Sequence, residues 1–179
     1  MSSDKIGRGQ GKRIVVIQGH PNPAGDRLGH ALANAYIAAA EIAGYRVTLV
    51  DIAHLEIPFL RTQDEYNRGA LPPSLVASHR AIFEADHIAV FFPLWLGGMP
   101  ALLKAYFEQV IRPKPVTGGE KPDLAEFQIR LKGKSARVVV TTGMPAFIYR
   151  WIFGGHGVRA LTKGILGICG AGPVRQTPL

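Results

Sequence analysis

The stretch from His87 to Pro100, HIAVFFPLWLGGMP, restricts the fold more than any other part of the chain. Ile88 to Phe92 is apolar without alternation. A run of that length fits a strand of a parallel sheet covered on both faces. Pro100 suits the start of a helix, because its fixed φ is helical and its missing N–H is one the first turn leaves unused. Between them the loop Pro93 to Met99 sets Gly97 and Gly98 beside Trp95. Glycine admits positive φ and close backbone approach. Loops at the carboxyl ends of central parallel strands are also where open α/β sheets take their ligands. A tight turn around a packed Trp accounts for these residues equally well.

The same grammar recurs along the chain. Arg13 to Gly19 is a β-branched apolar strand, central by its lack of alternation. A helix is expected from Asp26 to Ala43, with Leu28, Leu32, Ala35, Ala39 and Ile42 turned inward, Asp26 as N-cap and Gly44 as the stop. Arg46 to Asp51 is the second strand, so the first three elements form a right-handed βαβ unit. Ile52 to Pro73 is a long mixed connection. Ser74 to Ala85 is an amphipathic helix with Leu75, His79, Ile82 and Phe83 on one side. Pro100 to Ile111 is the next helix, burying Leu102, Leu103, Tyr106, Phe107 and Val110. Ala136 to Thr142 is the fourth strand, Val158 to Leu166 a short helix and Pro173 to Thr177 the fifth strand. The expected fold is α/β, a three-layer α/β/α arrangement with a five-stranded parallel sheet in the flavodoxin-like order 2-1-3-4-5. No repeat or linker divides it, so residues 13–179 form one domain behind a flexible tail of residues 1–12.

The net charge of +8 does not point to nucleic acid, because the basic residues are scattered and no recognition motif accompanies them. A basic surface would equally attract anionic small molecules such as dinucleotides. A single cysteine, Cys169, rules out an intramolecular disulfide and a cysteine-based metal cluster, and fits a reducing, cytoplasmic setting. No apolar run is long enough to cross a bilayer, and the N-terminus lacks the apolar segment of a secretory signal. The expectation is a cytoplasmic protein with no metal site, no nucleic-acid partner and no membrane insertion.

Three loops carry the candidate chemistry. His20 to Arg27 joins a strand to a helix amino end, where free N–H groups and the helix dipole favour an anion such as phosphate, with His20 and Arg27 adding donors. The loop holds no Ser or Thr, and Asp26 would repel a phosphate it faced; the alternative is a turn in which Asp26 caps the helix. In Pro93, Leu94, Trp95, Leu96 and Gly97, backbone N–H groups could face a planar electron-accepting ring bordered by Trp95 or Leu96. Thr141, Thr142 and Gly143 could hold ring heteroatoms, and Tyr149 and His156 could donate to a developing anion or pass a proton. His30, His54, His79 and His87 show no pairing and read as structural or surface residues. The chain has no G-x-S-x-G elbow, no phosphate-binding P-loop and no G-x-G-x-x-G fingerprint, so any nicotinamide would be a transient substrate.

With GHPNP after the first strand, FFPLWLGGMPALLKAYFEQV at the third, and TTG with Tyr149 and His156 after the fourth, the chain resembles the flavodoxin-like NAD(P)H:quinone oxidoreductases. These include the quinone-reductase and modulator-of-drug-activity flavoproteins. The resemblance implies a bound flavin (FMN or FAD), a homodimer with the site near its interface, and ping-pong hydride transfer from NAD(P)H to a quinone. It places His20 near the flavin phosphate, with Asp26, Arg27 and Gly29 where relatives often have a Ser- or Asn-containing pattern. It sets Pro93 to Gly97 and Thr141 to Gly143 at the ring, and makes Tyr149 and His156 the charge-stabilising pair. Other outcomes within reach of the same fold are a non-catalytic regulatory subunit, as in potassium-efflux systems, and an azo- or nitro-compound reductase.

Overall fold

The structure, a computed structural model, describes residues 11–112, 128–143 and 154–179. Its sheet contains β1 (Arg13–Gln18), β2 (Arg46–Asp51), β3 (His87–Pro93), β4 (Ser135–Thr141) and β5 (Val174–Pro178). All pairings are parallel and the order is β2-β1-β3-β4-β5, as the sequence predicts. The reason for the unalternating apolar runs is visible in the core. Val15, Ile17, Ile88, Val90 and Phe92 point into one hydrophobic cluster, while Ile14, Val16, Ala89 and Phe91 point into the other. Both faces of β1 and β3 are covered, and each large side chain so buried contributes about 1.5–3 kcal/mol.

The helices are α1 (Leu28–Ile42), α2 (Gln63–Arg68), α3 (Val76–Glu84), α4 (Ala101–Val110) and α5 (His156–Arg159). The last continues as a π-helix over Ala160–Gly167. Just ahead of β1, the Lys12 carbonyl accepts the N–H of Arg46 at 3.0 Å.

α1 departs from expectation in two ways. Its N-cap is Arg27, not Asp26, and no side chain caps it. Its buried face is Gly29, His30, Ala33 and Ala40, whereas Leu28 and Ile42 are 61% and 87% exposed. The helix LGHALANAYIAAAEI is apolar nearly all round, so its periodicity admits more than one inward face. The face chosen is the one with small residues, which lets the helix lie close to the sheet. At its end Gly44 takes φ +85°, with Gly44 N–H bonded to Glu41 O and Tyr45 N–H to Ala40 O, a Schellman stop. Ile42→Lys is therefore expected to shift the urea midpoint by less than the equivalent of about 0.5 kcal/mol, whereas Ala33→Leu on the buried face destabilises by about 1–3 kcal/mol.

The long connection after β2 is structured. Asp51 Oδ1 accepts the Ala53 N–H at 3.1 Å at the head of a 3₁₀ turn, Ile52–His54. Thr62 Oγ1 accepts the Glu65 N–H at 3.1 Å to cap α2. The Thr62-x-x-Glu65 spacing is a helix-start signal present in the sequence. Arg112, buried at the end of α4, donates to the carbonyls of Glu65 and Ala70 and pins α2 to the body.

Candidate active site

β1, β3 and β4 are adjacent and parallel, so the loops that follow them open on one rim of the sheet. The chain leaves β1 through Gly19, whose N–H reaches Phe91 O at 2.6 Å. A Cβ there would stand 2.9 Å from that same oxygen and 2.7 Å from Leu103 Cδ2, so only glycine lets β1 end against β3 and α4. Gln18 then ties the loop to α1. Its Oε1 accepts the His20 N–H at 3.2 Å and its Nε2 donates to Gly29 O at 3.0 Å.

His20 is buried, and its Nδ1 accepts the Asn22 N–H at 3.0 Å, which leaves the ring proton on Nε2. Burial, then the neighbouring His30 and Arg27, hold its pKa below the usual histidine value, so the ring is neutral at pH 7. Asp26 and Arg27 pair with one another at 3.0 Å on the exposed side, which answers the concern that Asp26 would oppose an anion unscreened. No acid lies in the first turn of α1.

The second loop is a two-residue hairpin. Trp95 and Gly98 exchange both backbone hydrogen bonds at 2.9 Å, with Leu96 at φ 47° and Gly97 at φ 77°. This is the type I′ pattern, which favours Asn and Gly, and a leucine there is strained. Leu96 is fully exposed and Trp95 half exposed; the Trp95 ring meets the His20 ring edge-on at 5.9 Å. Several N–H groups of this loop are used within the protein. Leu94 N–H is bonded to Thr141 O, and those of Trp95 and Gly98 to each other's carbonyls. Thr142 N–H in the third loop is bonded to Leu179 O. What the two loops present is an aromatic and aliphatic wall, with the half-buried Thr141 and Thr142 beside the exposed Gly143.

The third loop returns to the second at α5. A Cβ on Gly157 would fall onto the carbonyl oxygen of Gly97 and within 2.6 Å of Gly98 Cα, so backbone touches backbone. His156 is exposed, and its ring lies over Gly154, where a Cβ would be 2.5 Å from Nε2. The structure therefore brings the His20 ring to Trp95, bonds Leu94 to Thr141, and sets Gly157, the neighbour of His156, against the backbone of Gly97 and Gly98. Tyr149 lies outside the described residues.

His30, read from the sequence as a structural or surface residue, is a buried neighbour of His20. It is 6% exposed, its ring centroid is 5.1 Å from that of His20, and neither ring nitrogen has a hydrogen-bond partner among the described residues. Among the described residues no group of His, Cys, Asp and Glu could hold a metal ion, and no helix is long and apolar enough to cross a membrane.

The strand order agrees with a comparison of the whole chain, in which residues 12–179 match the family of the flavodoxin-like fold. The chain belongs to that family. Among its curated relatives is an uncharacterized NAD(P)H oxidoreductase of Haemophilus influenzae, 30% identical over 100 residues, which are 54% of this chain and 49% of that protein. An FMN-dependent NADH:quinone oxidoreductase of Ruegeria pomeroyi is 26% identical over 150 residues, covering 74% of this chain and 71% of the relative. The chain thus spans about half the length of the first of these and more of the second. The solved NAD(P)H:quinone oxidoreductase from Methanothermobacter marburgensis shares the fold, with a TM-score of 0.69 at 19% identity, covering 94% of this chain and 84% of that one. In this flavodoxin-like chain the switch point between β1 and β3 carries His20, Trp95 and His30, and open sheets of this order take their ligands at that position.

Proposed function

We propose that this protein is a flavin-dependent oxidoreductase that carries hydride from NAD(P)H to a quinone-type acceptor, with FMN at the rim formed by the three loops. The observation that carries the reading is the convergence of those loops: His20 against Trp95 at 5.9 Å, and Gly157 against Gly97 and Gly98. Such a rim has an uncapped helix amino end on one side and an aromatic wall on the other. A flat ring with an anionic tail matches both. The Ruegeria relative, an FMN-dependent NADH:quinone oxidoreductase, supports FMN as the flavin.

The donor set suits that molecule. The uncapped first turn of α1 and the His20–His30 pair suit a phosphate, and the orphaned nitrogens of His30 are the kind of buried polar atoms a ligand satisfies. Trp95 and Leu96 border the ring and keep water from one side, while the hydroxyls of Thr141 and Thr142 supply polar partners at its edge. When bound, the flavin supplies the hydride-carrying chemistry. His156 and Tyr149 stand as the pair that donates to negative charge or moves a proton during transfer. NAD(P)H and the acceptor use the same face of the flavin ring in turn, which is a ping-pong scheme. As in the family it resembles, the working unit is a homodimer.

Purified protein is expected to show flavin absorbance or to take up added FMN, and to consume NAD(P)H in the presence of a simple quinone. Protein that binds neither FMN nor FAD and leaves NAD(P)H untouched would refute the proposal. His156→Gln should slow the reductive half-reaction by about tenfold or more, with FMN affinity held within about twofold. An unchanged rate would remove the role of His156.

A further inference from the structure

We infer that His20 and His30 act as an imidazole pair that holds the terminal phosphate of FMN by taking up a proton as it binds, replacing the hydroxyl donors this loop lacks. This rests on the proposal that a flavin phosphate occupies the amino end of α1.

The geometry is specific to these two residues. His30 lies in the first turn of α1, more than nine-tenths buried, with both ring nitrogens unpartnered among the described residues. Its ring sits 5.1 Å from that of His20, tilted by 42°. In the neutral ring one nitrogen carries a hydrogen and the other a lone pair, and leaving both unmatched inside a protein is unfavourable. His20 has its Nδ1 committed to the Asn22 N–H, so its remaining function is that of an Nε2 donor. Two donors thus flank a helix start whose first-turn N–H groups no side chain caps. The residues 20–27 contain no serine or threonine to supply a hydroxyl.

Burial, ahead of the net effect of the surrounding charges, keeps His20 neutral until an anion arrives. His30 on α1, Arg27 and Asp26 in the loop, and Asp51 at the end of β2 act on His20. The two acids are already engaged: Asp26 with Arg27 at 3.0 Å, and Asp51 with the Ala53 N–H and with His54 Nδ1 at 3.0 Å. Among the described residues no carboxylate hydrogen-bonds either ring to favour imidazolium. A phosphate dianion supplies that counter-charge. A ligand that binds the protonated pair more tightly draws a proton with it, so its affinity rises as pH falls. The phosphate itself takes a proton only near pH 6, which leaves a window above that value in which the protein's protons are read alone.

The test titrates the full-length protein with FMN and with riboflavin, which lacks the phosphate, at pH 8.5, 7.5 and 6.5. The preference for FMN over riboflavin should grow by about tenfold across that range, with riboflavin affinity constant. His30→Gln keeps a donor but cannot titrate, so it should keep a preference for FMN that is flat with pH. His30→Phe should lose the preference while still binding riboflavin, which also shows that the variant is folded. Calorimetry in buffers of different ionisation enthalpy should count proton uptake with FMN for the native protein and its reduction in His30→Gln. If both flavins bind the native protein and their affinity ratio is flat with pH, the pair has no such role and the flavin reading stands. A His30→Gln slope equal to the native one also overturns the inference. Binding of neither flavin overturns the functional reading and this inference together.

Discussion

Gly157→Ala is expected to lower the melting temperature by roughly 4–12 °C, corresponding to about 2–3 kcal/mol for a domain of this size, and to reduce kcat/KM for quinone reduction on the order of a hundredfold. The methyl group would land on the carbonyl oxygen of Gly97 and within 2.6 Å of Gly98 Cα. Both are backbone atoms of a hairpin already closed by the reciprocal Trp95–Gly98 hydrogen bonds, so no side chain can swing aside. The second and third loops must separate, and with them Trp95 and His156. Gly164→Ala is the matched control. Nothing lies within 4 Å of a Cβ there, so its melting temperature should hold or rise slightly. Thermal melts and steady-state kinetics on the two variants check the pair. A Gly157→Ala protein with native stability and rate would show that the loops do not depend on each other.

Gly19→Ala is the second large effect expected, a loss of about 2 kcal/mol in stability together with a fall of about tenfold in FMN affinity. Of the contacts the new methyl would make, Leu103 Cδ2 at 2.7 Å can be relieved by side-chain movement, but the Phe91 carbonyl at 2.9 Å belongs to the central strand and is itself bonded to Gly19 N–H. The end of β1 must therefore withdraw from β3 and carry His20 away from Trp95. Adding Leu103→Val should recover only part of the lost stability and none of the affinity. Denaturant midpoints and flavin titration of the single and double variants measure both. Full recovery in the double variant would place the strain in the side chain alone.

The strands were legible because their environment leaves a direct mark on composition. A strand covered on both faces needs apolar residues at every position, and Ile14 to Ile17 and Ile88 to Phe92 meet that need. The loop ends were legible for a related reason: glycine and proline act through the local backbone, so Gly44 and Pro100 marked helix boundaries close to where they fall. α1 shows where such reasoning stops. Its apolar residues surround the helix, and no periodicity could choose between the Leu28–Ile42 side and the Ala33–Ala40 side. The α2 cap at Thr62 and Glu65 was written in the chain but obscured by the charged, proline-containing stretch around it.

The candidate site divides in the same way. The residue types at His20, Trp95, Thr141 and His156, and the strand–loop–helix order that sends them to one rim, follow from local pattern and the parallel topology that pattern requires. Contacts between distant segments do not. That Gly157 must be glycine depends on Gly97, sixty residues earlier, and that the unpartnered His30 ring is buried beside His20 depends on the fold setting the two rings 5.1 Å apart. Close approach and an unmet hydrogen bond are properties of atoms brought together by folding, and a linear pattern carries no record of them until the chain has closed.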